Sequence, residues 1–213
     1  SSVRSFIVST AGGSCFPAGT KILMADGFEK NIEDIFVGEK VLSFDERLGK
    51  QISSEVLELE NPVREHMCKI DFADGSSLNL TREHPIYTLQ GWKSINPFET
   101  LNENSNLLVD KLNLGDLVLF ADLDYKVLVN IKCWNETIQT YNLKKVENSH
   151  TFYAEKVLVH NKGDTGCFLA GTPILMADGK YKSIEKIQIG EKVISYDSKT
   201  KKNVVSVVRK TFH

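Results

Sequence analysis

Long apolar runs are missing from this 213-residue chain: nothing in it approaches the ~18 apolar residues in a row that a membrane helix needs, so no membrane is expected as a partner. The apolar piece Phe6-Ile7-Val8 is too short for a signal-peptide core. An excess of one charge is missing as well. The formal net charge is -2, and the pairs Lys144-Lys145 and Lys201-Lys202 are too short to be more than solvated faces, which argues against a nucleic-acid surface. Cysteine is scarce. Cys15, Cys68, Cys133 and Cys167 lie far apart with no CxxC spacing, which excludes a zinc ribbon or dithiol redox pair and makes a disulfide framework unexpected. Such usage suits an intracellular, reducing compartment in which one or two thiols have chemical work. Cys68 and Cys133, each in an alternating segment, read as packing residues.

What is present is a repeat. Residues 15–45 read CFPAGTKILMADGFEKNIEDIFVGEKVLSFD and recur, without a gap, as CFLAGTPILMADGKYKSIEKIQIGEKVISYD at 167–197. Two copies of one module each open on a cysteine. Ala18-Gly19-Thr20 and Asp26-Gly27 bracket the apolar run Ile22-Leu23-Met24, the pattern of a strand entering a tight turn. Cys15 is therefore expected at the start of a strand, with Gly13 and Ser14 leaving it approachable, and not as an inert core thiol.

Short alternating segments dominate the rest. Strands are predicted at 40–44, 54–59, 67–72, 77–80, 86–89, 117–120, 126–132, 137–143 and 151–159, and only 31–36 and 95–104 suit a helical turn. The class is all-β. A fainter echo of residues 35–41 in 112–118 implies a duplicated half, hence a pseudo-two-fold domain spanning 15–161. Residues 1–14 read as an upstream flank whose Ala11-Gly12-Gly13 is similar to the end of a ubiquitin-like module, and 162–166 as a polar linker. Residues 167–213 repeat only the opening half, too little chain for a core of its own.

Three further places could carry chemistry with Cys15: Thr81-Arg82-Glu83-His84-Pro85, Tyr141-Asn142 with His150 beyond it, and an apolar strand ending in His160-Asn161. Singly, each histidine is more simply a satisfied core or surface residue, and Asn161 a turn former. Together they make an ordered set that bounds one β-domain.

On these motifs residues 15–161 resemble a complete Hint domain, the self-processing fold of inteins and hedgehog autoprocessing domains, and within it the bacterial-intein-like group. The fold this implies is a pseudo-two-fold horseshoe of short antiparallel strands, with no room for a homing endonuclease. The resemblance also implies single-turnover self-processing. Cys15 would attack the carbonyl of Ser14 with His84 handling the proton and Thr81 orienting His84 or polarising that carbonyl. Asn161 would cyclise and release Lys162, assisted by His160 and His150. The substrate would be the chain's own flanking segments, with a thiol or amine as acyl acceptor, Lys162 and Cys167 being nearest, and no cofactor. Cys15, His84 and His160 could trap zinc as an inhibitor. Two positions depart from the splicing pattern: Lys162 stands where inteins carry Cys, Ser or Thr, and Asn142 where many carry aspartate. An inert β-scaffold and a cysteine hydrolase acting in trans are the competing readings.

Overall fold

Alternating sequence becomes strand because every second side chain is then buried while its neighbours face water. In Val63–Phe72, for example, Cys68, Ile70 and Phe72 point inward. The structure, a computed structural model, describes residues 13–104, 107–161, 173–197 and 202–208. The chain divides into two compact units, Ser1–Thr165 and Gly166–His213. No helix among the described residues is long and apolar enough to cross a membrane.

In the first unit one path of paired strands runs from Glu29–Asn31 through Lys21–Leu23, Thr151–Ala154, Val157–His160, Ile86–Thr88 and Leu117–Leu119 to Tyr125–Val146, Lys50–Glu60 and Lys40–Asp45. The 22-residue strand Tyr125–Val146 is its spine. It pairs antiparallel with Leu117–Leu119, Val63–Phe72, Phe16–Pro17 and Lys50–Glu60 at different points along its length. Two strands, 126–132 and 137–143, were expected here. A single strand forms because register shifts between Leu128 and Asn130 and between Asn135 and Ile138 absorb the break in alternation. Helical turns fall at Ile32–Asp34 and Pro97–Glu103, the second started by Pro97 in its first turn and capped by the Asn96 side chain.

Residues 151–159, expected as one strand, are a hairpin of Thr151–Ala154 and Val157–His160 that turns at Glu155 and Lys156, with φ of 47° and 67°. Such a turn usually announces itself as Asn-Gly. Here a neighbour holds it: Glu155 N donates to Lys21 O at 2.7 Å, and Lys21 N donates to Glu155 Oε1 at 2.8 Å. Both hairpin strands are buried on both faces. Phe152, Ala154, Val157 and Val159 join the main core with Phe16, Ile22 and Ile86, while Tyr153 and Leu158 join a smaller one with Phe44, Trp92 and Leu119.

The internal echo is a repeat of hydrogen bonds. Gly38 (φ 93°) donates to Val56 O at 2.8 Å, as Gly115 (φ 89°) does to Leu128 O at 2.8 Å. The second unit repeats the first pattern again, with Gly190 N donating to Val208 O at 2.8 Å, Met176 N to Lys180 O at 2.8 Å, and Lys182 paired with Glu191 as Lys30 is with Glu39. That unit consists of two two-stranded sheets, Pro173–Leu175 with Tyr181–Ser183 and Lys192–Asp197 with Lys202–Val207. Of its apolar side chains, Met176 and Ile187 are buried while Tyr181, Ile189 and Val205 are exposed.

One expectation is corrected. Cys68 and Cys133 are directly opposed across Val63–Phe72 and the spine, with Cα atoms 4.0 Å apart, and form a disulfide. Their separation of 65 residues has no local signature, and the bond follows from a register that only the folded sheet defines. The cysteine argument for a reducing compartment is thereby removed. Cys15 is the free cysteine among the described residues, and Cys167 lies outside them.

Candidate active site

Cys15 directly precedes Phe16–Pro17, which pairs with the spine at Phe16 and Tyr141. Continuing that register by one residue sets Asn142 opposite Cys15. Thr81, just after Ser77–Leu80, is bonded to Cys15 in both directions: Cys15 N donates to Thr81 Oγ1 at 3.0 Å, and Thr81 N donates to Cys15 O at 3.0 Å. The turn closed by His84 N on Thr81 O then lays the His84 ring against Phe16, centroids 4.2 Å apart. Two residues on, Ile86 pairs with Val159, and His160 N donates to Pro85 O at 3.2 Å. The spine, the Thr81–His84 turn and the end of the buried hairpin thus bring Cys15, His84 and His160 into one centre.

Solvent is excluded from it. Cys15 and Thr81 are fully buried and Ser14, His84 and Asn161 nearly so. The expectation that Gly13 and Ser14 leave the thiol approachable is therefore corrected. Their backbone is gripped: Gly13 N donates to Glu83 Oε1 at 3.0 Å, Gly13 O accepts from Arg64 Nε at 3.0 Å and from Thr81 Oγ1 at 3.3 Å, and Ser14 N donates to Glu103 Oε2 at 2.9 Å. Thr81 thus bonds the nitrogen of the Ser14–Cys15 amide and the carbonyl one residue earlier.

Burial sets the protonation states. It pushes the Cys15 thiol up to about 12, against the pull of the Arg64 cation, while Glu60 adds to the rise. Burial, with the charge of the His160 ring acting the same way and the His160 backbone against it, lowers His84 to about 3. Burial likewise lowers His160 to about 4 although the Asn161 carbonyl pulls it up. At neutral pH the centre holds a thiol and two neutral imidazoles. His160 Nδ1 lies 2.7 Å from Asn161 O, and since a carbonyl only accepts, Nδ1 carries the proton. The His160 ring lies between Trp92 (5.0 Å, edge-on) and His150 (6.2 Å, stacked). His150 itself has φ 58°, and its carbonyl accepts from Asn161 N at 2.8 Å.

Several buried polar atoms have no hydrogen-bond partner among the described residues: both ring nitrogens of His84, both amide atoms of the Asn161 side chain, Asn142 Oδ1 and His150 Nδ1. Buried polar groups are normally satisfied, so such a cluster asks for a role. Lys162 lies outside the described residues. Cys15, His84 and His160 form no three-ligand metal group. Among the described residues that description fits His66, Glu83 and Glu99, of which Glu83 bonds Gly13 and His66 while Glu99 pairs with Arg82. Arg64, Glu83, Glu103 and Trp92 are site residues that sequence reasoning missed. Glu83 sits inside the Thr-x-x-His run and could have been found there; Arg64 and Glu103 carry no local signal.

Comparison with known proteins gives the same outline. Residues 4–129 match the Hint module, and 167–212 match a Hint module associated with homing endonucleases. The bacterial intein-like domain of Clostridium thermocellum is 27% identical, with 69% of this chain covering 98% of that one at a TM-score of 0.58. A DnaB intein from Synechocystis, 18% identical, shares the fold, with 70% of this chain covering 98% of that chain at a TM-score of 0.58. Indian hedgehog B protein of Danio rerio is 33% identical over 89 residues, 39% of this chain and 22% of that protein. The V-type proton ATPase catalytic polypeptide of Candida tropicalis is 39% identical over 62 residues, 29% of this chain and 5% of that protein. The chain thus spans only a small part of either of these two proteins. With one family model matching more than half of its length, the chain belongs to the Hint module family.

Proposed function

We propose that the chain processes itself, cleaving at the Ser14–Cys15 and Asn161–Lys162 bonds. The observation that carries this reading is the Ser14–Cys15 amide itself, held by its N–H on Thr81 Oγ1 at 3.0 Å in a buried centre beside a free cysteine. In the first step the Cys15 sulfur bonds the Ser14 carbonyl carbon and the C–N bond breaks, giving a thioester. The thiol proton ends on the nitrogen, which becomes the amine of Cys15. A thiol raised to about 12 does not ionise first, so the proton moves with the attack. A neutral His84 suits that relay, because one ring nitrogen accepts while the other donates.

In the second step Asn161 Nδ2 bonds the carbonyl carbon of its own residue, closing a succinimide, and the amine of residue 162 leaves with the proton that Nδ2 gives up. His160 Nδ1–H on that carbonyl oxygen stabilises the charge that develops there. The unpartnered, buried Asn161 amide is free to turn into the attack. The Ser14 thioester itself is resolved by water, by an external thiol or amine, or, while the segment after Asn161 is still attached, by a nucleophile such as Lys162 or Cys167. A protonated lysine is a poor acceptor, so cleavage dominates below about pH 8 and a Lys162 conjugate stays minor.

The centre disfavours both competing readings. Full burial of Cys15 leaves an external polypeptide no approach, and an inert scaffold gives no reason for so many buried polar atoms without a partner among the described residues. Hydroxylamine cuts thioesters without reducing the Cys68–Cys133 disulfide, so it is the reagent of choice. Mass spectrometry of the treated chain should show release of residues 1–14, lost in Cys15→Ala, and loss of the segment after Asn161, abolished in Asn161→Ala. Release unchanged in both variants means that another agent cuts the chain.

A further inference from the structure

The upstream residues lie in a built recess. Four side chains, from three separate parts of the fold, reach the two residues before the nucleophile: Arg64 from the strand Val63–Phe72, Thr81 and Glu83 from the turn after Ser77–Leu80, and Glu103 from the last turn of Pro97–Glu103. Arg64, Thr81 and Glu83 are buried, and the bonds of Glu83, Arg64 and Thr81 to Gly13 lie wholly inside the protein. These contacts take only the backbone of Gly13. At Ser14 the contact is different. Glu103 Oε2 accepts from Ser14 N at 2.9 Å and also from Ser14 Oγ at 3.1 Å, while Ser14 Oγ stands 3.4 Å from Glu83 O. One carboxylate oxygen therefore binds both the backbone and the side chain of the residue whose carbonyl is to be attacked.

We infer that Glu103 is a specificity-determining residue, selecting a small hydroxyl side chain, serine or threonine, at the position before the nucleophile, with Arg64 and Glu83 fixing the preceding peptide whatever its side chain. This rests on cleavage at Ser14–Cys15. The chemistry is that of a carboxylate oxygen accepting two bonds from one residue in a part-buried site. An apolar side chain at position 14, valine included although it has the shape of threonine, leaves the second bond to Glu103 unmade. His66, 2.9 Å from Glu83 Oε2, orients the carboxylate that holds Gly13 and is a positioning residue. Through these contacts the Ser14–Cys15 amide is held on both sides: Glu103 takes the N–H of residue 14 and Thr81 that of residue 15.

The test is a cycle of variants in the full chain. Hydroxylamine-dependent release of residues 1–14 is timed for Ser14, Ser14→Thr, Ser14→Ala and Ser14→Val, each with Glu103 and with Glu103→Ala. With Glu103 present, serine and threonine should be released about tenfold or more faster than alanine and valine, the usual size for a bond to a charged acceptor. With Glu103→Ala the four should fall within about twofold of one another, while cleavage after Asn161 keeps its rate and so reports an intact fold. A preference that survives Glu103→Ala unchanged overturns the inference. Absence of release in every chain, the unsubstituted one included, refutes the cleavage reading instead. The inference then stands or falls on a second measurement in the Cys15→Ala background. There the Ser14 amide should exchange its hydrogen slowly, and at least tenfold faster with Glu103→Ala; equal exchange in the two overturns the selection by Glu103.

Discussion

Thr81 carries more than its place in a motif would suggest, because one hydroxyl accepts from the Ser14–Cys15 amide and donates to the carbonyl before it. Only the oxygen matters to that arrangement. Thr81→Ser should keep most of the rate of cleavage before Cys15, whereas Thr81→Ala should lose on the order of 10- to 100-fold, read by hydroxylamine kinetics. The two buried histidines make a prediction of another kind. His84 at about 3 and His160 at about 4 bind protons less readily in the fold than in the unfolded chain, where histidine titrates near 6.5. The unfolded state therefore takes up more protons as pH falls below about 6.5, and stability drops until about pH 3. Urea midpoints should decline steadily across that window, and His84→Asn should flatten the slope. A midpoint independent of pH from 6.5 to 4 would contradict neutral burial.

Among the elements, the hairpin Thr151–Ala154 and Val157–His160 is held by its surroundings against local preference. Lys156 pays for a φ of 67° that glycine adopts without cost, and its side chain makes only an exposed pair with Glu29 at 3.7 Å. Lys156→Gly should therefore raise the melting temperature, by about 1 kcal/mol of stability, without altering the Glu155–Lys21 bonds. This turn also shows where sequence legibility ended. The all-β class, both helical turns and most strand positions were readable from alternation and from Asp-Gly turns such as Asp26-Gly27. The hairpin was not, because Glu-Lys is no turn signal and its support comes from Lys21, far away in the chain. The same holds for the Cys68–Cys133 bond and the length of the spine, which depend on register between distant strands. Cys15, His84, His160 and Asn161 stood out because their chemistry is local to short motifs. Arg64 and Glu103 did not, since each acts through a neighbour that only folding supplies.

For the whole molecule, the repeat is one of backbone hydrogen bonds as much as of residues: Gly38, Gly115 and Gly190 make the same turn and the same bond in three places. The grip on Gly13 and Ser14 has a further consequence. Before reaction the first unit contains its own ligand, tethered at full occupancy, and anything bound to the folded state alone adds to its stability. On the proposed cleavage the segment before Cys15 is no longer tethered and can diffuse away. Glu83 and Arg64 then lose the peptide groups they held, inside a recess built around them. Residues 15–161 isolated after processing should accordingly melt several degrees below the same residues still joined to 1–14 in Cys15→Ala, and added peptide ending in Gly-Ser should restore part of the difference, as calorimetry can show. On that proposal the unreacted chain is armoured by its own substrate, and a domain that has fired once should be loosened and easier for a protease to clear.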